Sequence, residues 1–94
     1  MATFIMAMTI NPTAKQDHAD LAHQISTSLD NFKGEGISDI RIFATLGRYD
    51  CLAIFEATTQ TAAFKVASAI TARGVLETET WPVIAFEDFI ELLK

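Results

Sequence analysis

Apolar residues recur along the chain in two spacings, and each spacing predicts a type of element. Residues 4–10 are apolar at nearly every position and end at Asn11-Pro12, which predicts a strand that is buried on both faces. Residues 14–32 then carry apolar side chains at steps of three and four, which predicts a helix. Gly34-Glu35-Gly36 ends it, since glycine readily takes the left-handed conformation. The helical stripe comprises Ala14, His18, Leu21, Ile25, Leu29 and Phe32.

The middle of the chain alternates and predicts a β-hairpin. Residues 39–46 and 51–57 form its two strands, and residues 47–50 form the turn. Gly47 is expected to supply a positive φ there, which side chains with a Cβ resist. Alternation places Arg41 and Phe43 on one strand face.

The last third of the chain predicts a helix, a strand and a short helix. Thr58-Thr59 offers an N-cap hydroxyl, and Arg73-Gly74 is a helix end signal. A fourth strand, residues 75–81, is expected to stop at Pro82. The second helix is marked by Ala63, Val66, Ala67 and Ile70, with Phe64 at the edge of that stripe, and the C-terminal helix by Phe86, Phe89, Ile90 and Leu93.

This order of elements, βαββαβ with an extra C-terminal helix, predicts one ferredoxin-like α+β domain over residues 1–94. Both crossover helices would cover one face of a four-stranded antiparallel sheet and leave the other face bare. The first and third strands are apolar on both sides, whereas a wet face alternates with polar residues. We therefore expect a second copy to pack on the bare face as a dimeric α+β barrel. A crowded helical layer within a monomer is the alternative, but a single short extra helix is available for it.

Composition supports burial and disfavours several partners. Half of the 94 residues are hydrophobic and the mean hydropathy is +0.26, which is high for so small a chain. The formal net charge of −5 disfavours nucleic acid, because that affinity rests on Lys and Arg neutralising phosphates. A single cysteine suggests a reducing compartment. No basic residue precedes the first apolar run, which is also too short to span a membrane. We expect a cytoplasmic protein with no membrane partner.

Four segments carry a resemblance to a known family. The turn Gly47-Arg48-Tyr49-Asp50, the following Glu56-Ala57, the strand from Gly74 to Thr80 and Phe86-Glu87-Asp88-Phe89 resemble the GYD domain family, which is named for a Gly-Tyr-Asp signature. Thr58-Thr59 stands where that family often has Pro-Asp. The resemblance implies a small α+β fold of unassigned biochemical role. By fold, the family is similar to the ligand-binding domain of Lrp/AsnC regulators and to dimeric α+β barrel proteins.

Two residues of the turn and one histidine are candidate ligand-binding residues. Tyr49 has a ring that can pack and a hydroxyl that needs a partner, so it is either a packing residue or a ligand-facing hydroxyl at a barrel mouth. Asp50 is expected to accept hydrogen bonds from turn amides, with a general-base role as the alternative. His18 lies on the apolar helix face, as a hydrogen-bonded core residue or a pocket residue. His23 falls on the opposite helix face, which argues against a shared metal site.

The remaining candidates lie on strands. Arg41 and Phe43 share the bare sheet face, and Arg41 is expected either to pair with a glutamate or to anchor an acidic ligand. The glutamate would be Glu56, Glu77 or Glu79. Trp81 ends the fourth strand and is expected to pack at the edge. Cys51 has no Cys or His beside it and is interpreted as a small buried hydrophobe.

The sequence leaves three functions open and indicates no cofactor and no metal. The first is a homodimeric small-molecule-binding or interaction module with an apolar or amphipathic ligand. The second is an enzyme of the cofactor-free monooxygenase or haem-degrading kind, which would use His18 or Tyr49 in a closed cavity. The third, an effector-sensing regulator, would need a separate DNA-binding partner protein. Any chemistry is expected in a cavity between sheet and helices, with Tyr49 at its rim.

Overall fold

The computed structural model describes residues 1–11, 18–72, 74 and 76–94, with the backbone alone for residues 18–22. Within these residues the elements follow the predicted order. They are β1 (Ala2–Ile10), α1 (His18–Asp30), β2 (Ile37–Ala44), β3 (Cys51–Ala57), α2 (Gln60–Ala72), β4 (Leu76–Val83) and α3 (Phe86–Leu92). No helix in the described part of the chain is long and apolar enough to cross a bilayer.

The four strands form one antiparallel sheet in the order β2-β3-β1-β4. The two central strands are therefore β1 and β3, the strands whose sequences are apolar on both sides. This arrangement confirms the predicted ferredoxin-like α+β architecture with an added C-terminal helix.

The core lies between one face of the sheet and the helices α1 and α2. Alternate residues of β1 and β3 point into it, and Phe4 stacks on Phe55 with 5.8 Å between ring centroids. The described positions of the predicted helical stripes supply the other layer, because they fall on one side of each helix. Ala14 and the side chain of Leu21, both part of the first predicted stripe, lie outside the described residues. The core residues from the helices are Ile25, Leu29, Ala63, Val66 and Ile70.

The strand β2 differs from its predicted bounds by two residues. It begins at Ile37, and the register between β2 and β3 shifts between Ser38 and Arg41. Asp39 has a φ of 53°, the left-handed conformation that a β-bulge can require of one residue. The predicted end of the strand belongs instead to the turn, since the Thr45 N–H donates to the Asp50 carbonyl over 3.1 Å.

The predicted stop at Pro82 is wrong, because β4 continues through it to Val83. Pro82 pairs with Phe4 in the ladder between β4 and β1. A proline lacks the N–H that a central strand needs, but β4 is an edge strand and has one neighbour only.

The prediction for Gly47 is also wrong. The glycines with positive φ are Gly34 at 85°, Gly36 at 88° and Gly74 at 76°. Gly34 and Gly36 follow α1 and turn the chain into β2, which confirms the predicted use of glycine after the first helix. The turn around Gly47 is held by the backbone bond from Thr45 to Asp50 and by the Thr45 hydroxyl, which donates to the Tyr49 carbonyl.

Gly36→Ala is expected to destabilise the protein more than Gly34→Ala. Both positions have a left-handed φ, which costs an L residue about 1–2 kcal/mol. A Cβ at Gly36 would also lie 2.7 Å from the Thr58 hydroxyl oxygen, whereas one at Gly34 meets nothing within 4 Å. Urea unfolding of both variants measures the difference. Equal losses would show that the Thr58 side chain moves aside without cost.

The C-terminal helix α3 leaves its apolar side uncovered. None of its residues is buried, and Phe86, Phe89 and Ile90 are exposed. A helix of seven residues is too short to be stable in water without packing. The short amphipathic helix is thus where the sequence predicts it, and its own chain offers it little cover.

Candidate functional site

The sheet surface away from the helices, here called the open face, is apolar in its centre. Register places Ile5 of β1 between Ile54 of β3 and Trp81 of β4, and Arg41 of β2 extends this row. The next row along the strands is Phe43, Leu52, Ala7 and Glu79. The remaining open-face residues are Thr3, Thr9, Ser38, Glu56, Glu77 and Val83.

Side-chain burial confirms that the helices cover one side of the sheet only. In β3, Cys51, Ala53, Phe55 and Ala57 are buried, whereas the open-face residues that alternate with them are half-buried. On β2, Phe43 is 46% exposed. The open face therefore presents isoleucine, leucine, phenylalanine and tryptophan side chains to the surroundings across all four strands.

The predicted ion pair of Arg41 is not formed within the described part of the chain. The nearest candidate by position, Glu56, instead accepts a hydrogen bond of 2.8 Å from the Thr3 hydroxyl. Arg41 and Glu56 line the same surface depression of about 520 Å³ without contacting as an ion pair. Arg41 is therefore an exposed cation at one edge of an apolar surface.

A cluster around Tyr49 occupies the opposite edge of the open face. The Tyr49 hydroxyl donates to the Glu79 Oε2 over 2.5 Å, and the Trp81 indole N–H donates to the Glu79 Oε1 over 3.3 Å. The two rings meet edge to face, with centroids 5.9 Å apart. Arg48 lies over the Tyr49 ring at 5.8 Å. The Tyr49 ring therefore packs against Trp81, and its hydroxyl has a hydrogen-bond partner within its own chain.

The hydrogen bond between Tyr49 and Glu79 shifts the pKa values of both side chains so that the phenol stays protonated and the carboxylate stays ionised over a wider pH range. The bond to the carboxylate raises the pKa of the Tyr49 phenol above its ordinary value of 10.0. The same bond, with the one from Trp81, lowers the pKa of Glu79 below 4.5. Glu79 is exposed and Tyr49 is half-buried, so solvent screens the bond and its contribution to stability is small.

Glu79→Gln is expected to lower the pKa of Tyr49. The chain has one tyrosine, so the ultraviolet absorbance of tyrosinate reports this residue alone. The raised pKa means that the stability contributed by the bond is present below pH 10.0 and is lost as pH rises through the folded value. Because the pKa of Glu79 is lowered, the stability that the bond contributes is present above pH 4.5 and is lost as pH falls through the folded value. An unchanged Tyr49 titration in Glu79→Gln would contradict the hydrogen bond.

Asp50 bonds a different amide from the one expected. Its Oδ2 accepts a 2.7 Å hydrogen bond from the Ile10 N–H, at the end of β1, and its own N–H donates to the Met8 carbonyl over 2.9 Å. Asp50 therefore connects the turn to the central strand β1, and within the described residues its side chain does not bond the amides of the turn. This contact fixes the end of the ladder between β1 and β3, and it leaves a general-base role without support.

A cavity of about 230 Å³ lies on the helix side of the sheet, between α2 and β4. Its walls are mostly apolar, and the Thr80 hydroxyl oxygen in its lining is buried without a hydrogen-bond partner among the described residues. An unpaired buried hydroxyl is costly, so such a group points to a missing partner. The lining residues are Phe4, Gln60, Ala63, Phe64, Ala67, Thr78, Thr80 and Pro82.

The predicted site residues do not gather in this cavity. Arg41, Phe43 and Trp81 lie on the open face, and Tyr49 lies there too, so the prediction of Tyr49 at the rim of the helix-side cavity is wrong. The reason is register, which puts its partner Glu79 opposite Ala7 on the face away from the helices. The side chain of His18 lies outside the described residues.

None of the cavity residues was predicted as a site residue, although the sequence of β4 contains a signal for two of them. Its threonines, Thr78 and Thr80, alternate with Glu77 and Glu79, so the two pairs had to lie on opposite faces. Of these four residues, only the two glutamates were expected to form a contact, as possible partners of Arg41. The threonines face the helices, and a hydroxyl group is less common in such an apolar layer than a carboxylate is on an exposed face.

Neither thiol chemistry nor metal binding finds support in the described residues. Burial raises the pKa of the Cys51 thiol, and the charge of Asp50 raises it further, which is the opposite of what a reactive thiol needs. This agrees with a small buried hydrophobe. No group of three His, Cys, Asp or Glu side chains in this part of the chain could hold a metal ion.

Comparison with known proteins gives a family and a fold. The GYD domain family model matches residues 4–93. SnoaB, described as a cofactor-independent oxygenase from Streptomyces nogalater, superposes with a TM-score of 0.62 at 15% identity, over 89% of this chain and 91% of SnoaB. The structural genomics protein YjcS superposes with a TM-score of 0.61 at 12% identity, over 90% of this chain and 99% of YjcS. None of the curated proteins matches the sequence.

Proposed function

The chain belongs to the GYD domain family, and from this premise we propose that it is a self-associating small-molecule-binding module. Two copies bury their open faces against each other, and each copy holds a small apolar ligand in its helix-side cavity. One observation carries the proposal. Large apolar side chains run across all four strands on the one sheet face that the helices leave uncovered.

Burial of the open face supplies the driving force. Apolar area removed from water contributes about 25 cal/mol per Å², and a sheet that stays wet on one face normally alternates with polar residues there. A stable interface needs about 800 Å² from each partner, roughly one eighth of the 6365 Å² surface of this chain. A second copy is the partner because an identical apolar sheet packs against it at the usual spacing of about 10 Å.

Sedimentation velocity at micromolar concentration tests the assembly. We expect a single species with twice the mass of the chain. Trp81 adds a second readout, since it is the one tryptophan of the chain and lies on the open face. Its fluorescence is expected to change on dilution at the concentration where the mass falls. A monomer at all micromolar concentrations contradicts the proposal.

The cavity supports the second part of the proposal, a small and mostly apolar ligand. Its volume is below the 300–1,000 Å³ of pockets for drug-sized molecules. Its polar groups are Gln60, Thr78 and Thr80, none of which carries a charge. An apolar molecule with one hydroxyl or carbonyl group would give the Thr80 hydroxyl a partner, which a pure hydrocarbon cannot do.

A matched pair of probes tests this ligand class. Calorimetry is expected to show 2-naphthol binding more tightly than naphthalene, because only the former can pair with Thr80. Thr80→Val should remove the difference, and Ala67→Phe should weaken both probes by filling the cavity. Native mass spectrometry of protein purified from cells tests for a resident ligand directly. Equal affinity of both probes in the unaltered protein contradicts the assigned role of Thr80.

The alternative of a cofactor-free oxygenase gains little from these observations. At 15% identity the likeness to SnoaB concerns the fold alone. General acid–base catalysis needs a group that can gain or lose a proton in contact with the substrate. The described lining of the cavity offers amide and hydroxyl groups of Gln60, Thr78 and Thr80 instead.

A further inference from the structure

The open face carries opposite charges on its two edges. Arg41 stands on the edge strand β2, and Glu77 and Glu79 stand on the edge strand β4. Ile5 and Ile54 lie between them on the central strands. The face therefore has Arg41 at one edge, in a depression that Asp39 and Glu56 also line, isoleucines in its centre, and Glu77 and Glu79 at the other edge, where Arg48 lies nearby.

We propose that Arg41 of each copy binds the Glu79–Trp81 pair of the other copy, an inference that rests on the proposed self-association through the open face. The dimer then has a defined orientation, in which β2 of each copy lies over β4 of its partner. Each copy supplies an arginine to Glu79 of the other copy. The two contacts are therefore identical and are related by the two-fold axis.

Two aligned sheets can stack about a two-fold axis in two ways. An axis parallel to the strands places β2 over the partner's β4. An axis across the strands places β2 over β2 and β4 over β4. The first arrangement brings Arg41 against the edge that carries Glu77 and Glu79. The second places Arg41 over the partner's β2 and Glu79 over the partner's β4, so neither side chain meets the opposite charge of the other edge, and like charges that approach in a partly desolvated interface are unfavourable.

Register puts the partners within reach in the first arrangement. Arg41 shares its row with Trp81, so the two face each other across the interface. Glu79 is two residues from Trp81 along β4, about 6.6 Å away, and stacked sheets are about 10 Å apart. A guanidinium that crosses this gap can stack on the indole and bond the carboxylate, two interactions that arginine makes well.

The Glu79 carboxylate is held in a fixed position by neutral donors and can accept a further hydrogen bond from a cation. Its two donors, the Tyr49 hydroxyl and the Trp81 indole N–H, are neutral and hold the carboxylate in place. A carboxylate that becomes buried needs a cationic partner. Arg48 of the same chain lies over the Tyr49 ring and makes no ion pair with Glu79 in the described part of the chain. Arg41 is likewise without an ion-pair partner there.

Charge reversal tests the orientation by sedimentation equilibrium. Arg41→Glu is expected to raise the dimer dissociation constant at least roughly thirtyfold, because both contacts become repulsive. Lys65→Glu, on an exposed position of α2, makes the same change in net charge away from the face and should change the constant less than about threefold. The chain with both Arg41→Glu and Glu79→Arg exchanges the two charges and is expected to recover most of the affinity.

The outcomes separate this inference from the assembly itself. A monomeric unaltered protein removes the proposed self-association and this inference with it. A dimeric protein in which Arg41→Glu behaves like Lys65→Glu keeps the assembly and overturns the orientation, and so does a double variant no better than Arg41→Glu. Arg41→Gln and Lys65→Gln provide a second comparison if the double variant does not fold by circular dichroism. Roughly tenfold weaker association in Arg41→Gln alone supports the contact, and equal constants overturn it.

Discussion

Ile54→Lys is expected to convert the protein to a monomer, with a dimer dissociation constant raised at least roughly a hundredfold. Ile54 lies in the centre of the open face, beside Ile5. Each dimer would lose two buried isoleucines, worth about 1.5–3 kcal/mol apiece, and would have to desolvate two ammonium groups. The monomer should still fold, because a lysine stem can lie on the sheet while its charge reaches water.

Phe64→Lys is the matched control for this prediction. It introduces the same charge at an apolar position on α2 that is 66% exposed, on the far side of the sheet. Sedimentation of both variants, with circular dichroism to confirm folding, measures the effect. A dimer that persists in folded Ile54→Lys would show that the open face is not the interface.

Phe55→Ala is expected to cost about 3–5 kcal/mol of stability, the largest effect of a single side chain on folding. Phe55 is 1% exposed and stacks on Phe4 at the centre of the core. Its removal leaves a cavity between the sheet and the helices that neighbouring side chains can fill only in part. With a total stability of about 5–15 kcal/mol for a typical domain, this loss alone can leave the chain largely unfolded.

Urea unfolding in the Ile54→Lys background measures this cost without the contribution of association, which would otherwise make stability depend on concentration. Phe86→Ala is the control, since Phe86 is 69% exposed on α3 and its truncation should stay within about 0.5 kcal/mol. A loss at Phe55 as small as that at Phe86 would contradict the central place of Phe55 in the core.

The architecture followed from local patterns, and the errors followed from features that depend on neighbouring strands. The order of elements was correct, and so were the helical stripes at the positions that the structure describes, because alternation and the 3.6-residue period act within a segment. The end of β4 was predicted too early, since Pro82 is tolerated only by virtue of the edge position of its strand. The bulge at Asp39 was missed because it arises from the pairing of β2 with β3.

For the candidate site, too, the sequence predicted features within one strand but not contacts between distant segments. Alternation correctly placed Arg41 and Phe43 together on the uncovered face. The common face of Trp81 and Glu79 became clear only from the pairing of β4 with β1. Alternation could not pair Tyr49 with Glu79, thirty residues apart in the chain. It also gave no sign that Asp50 bonds Ile10 across the ladder, or that Thr80 ends in a cavity without a partner.

The sequence by itself determined which faces of the elements are apolar, because side-chain periodicity and burial are linked within each helix and strand. It thereby determined the ferredoxin-like order and the uncovered apolar sheet face. Only the tertiary structure decided the strand register, and register decides which distant side chains meet. It placed the signature tyrosine on the open face, tied to Glu79 and Trp81, and gave the cavity to residues of β1, α2 and β4, because contacts between strands depend on alignment that no single segment encodes.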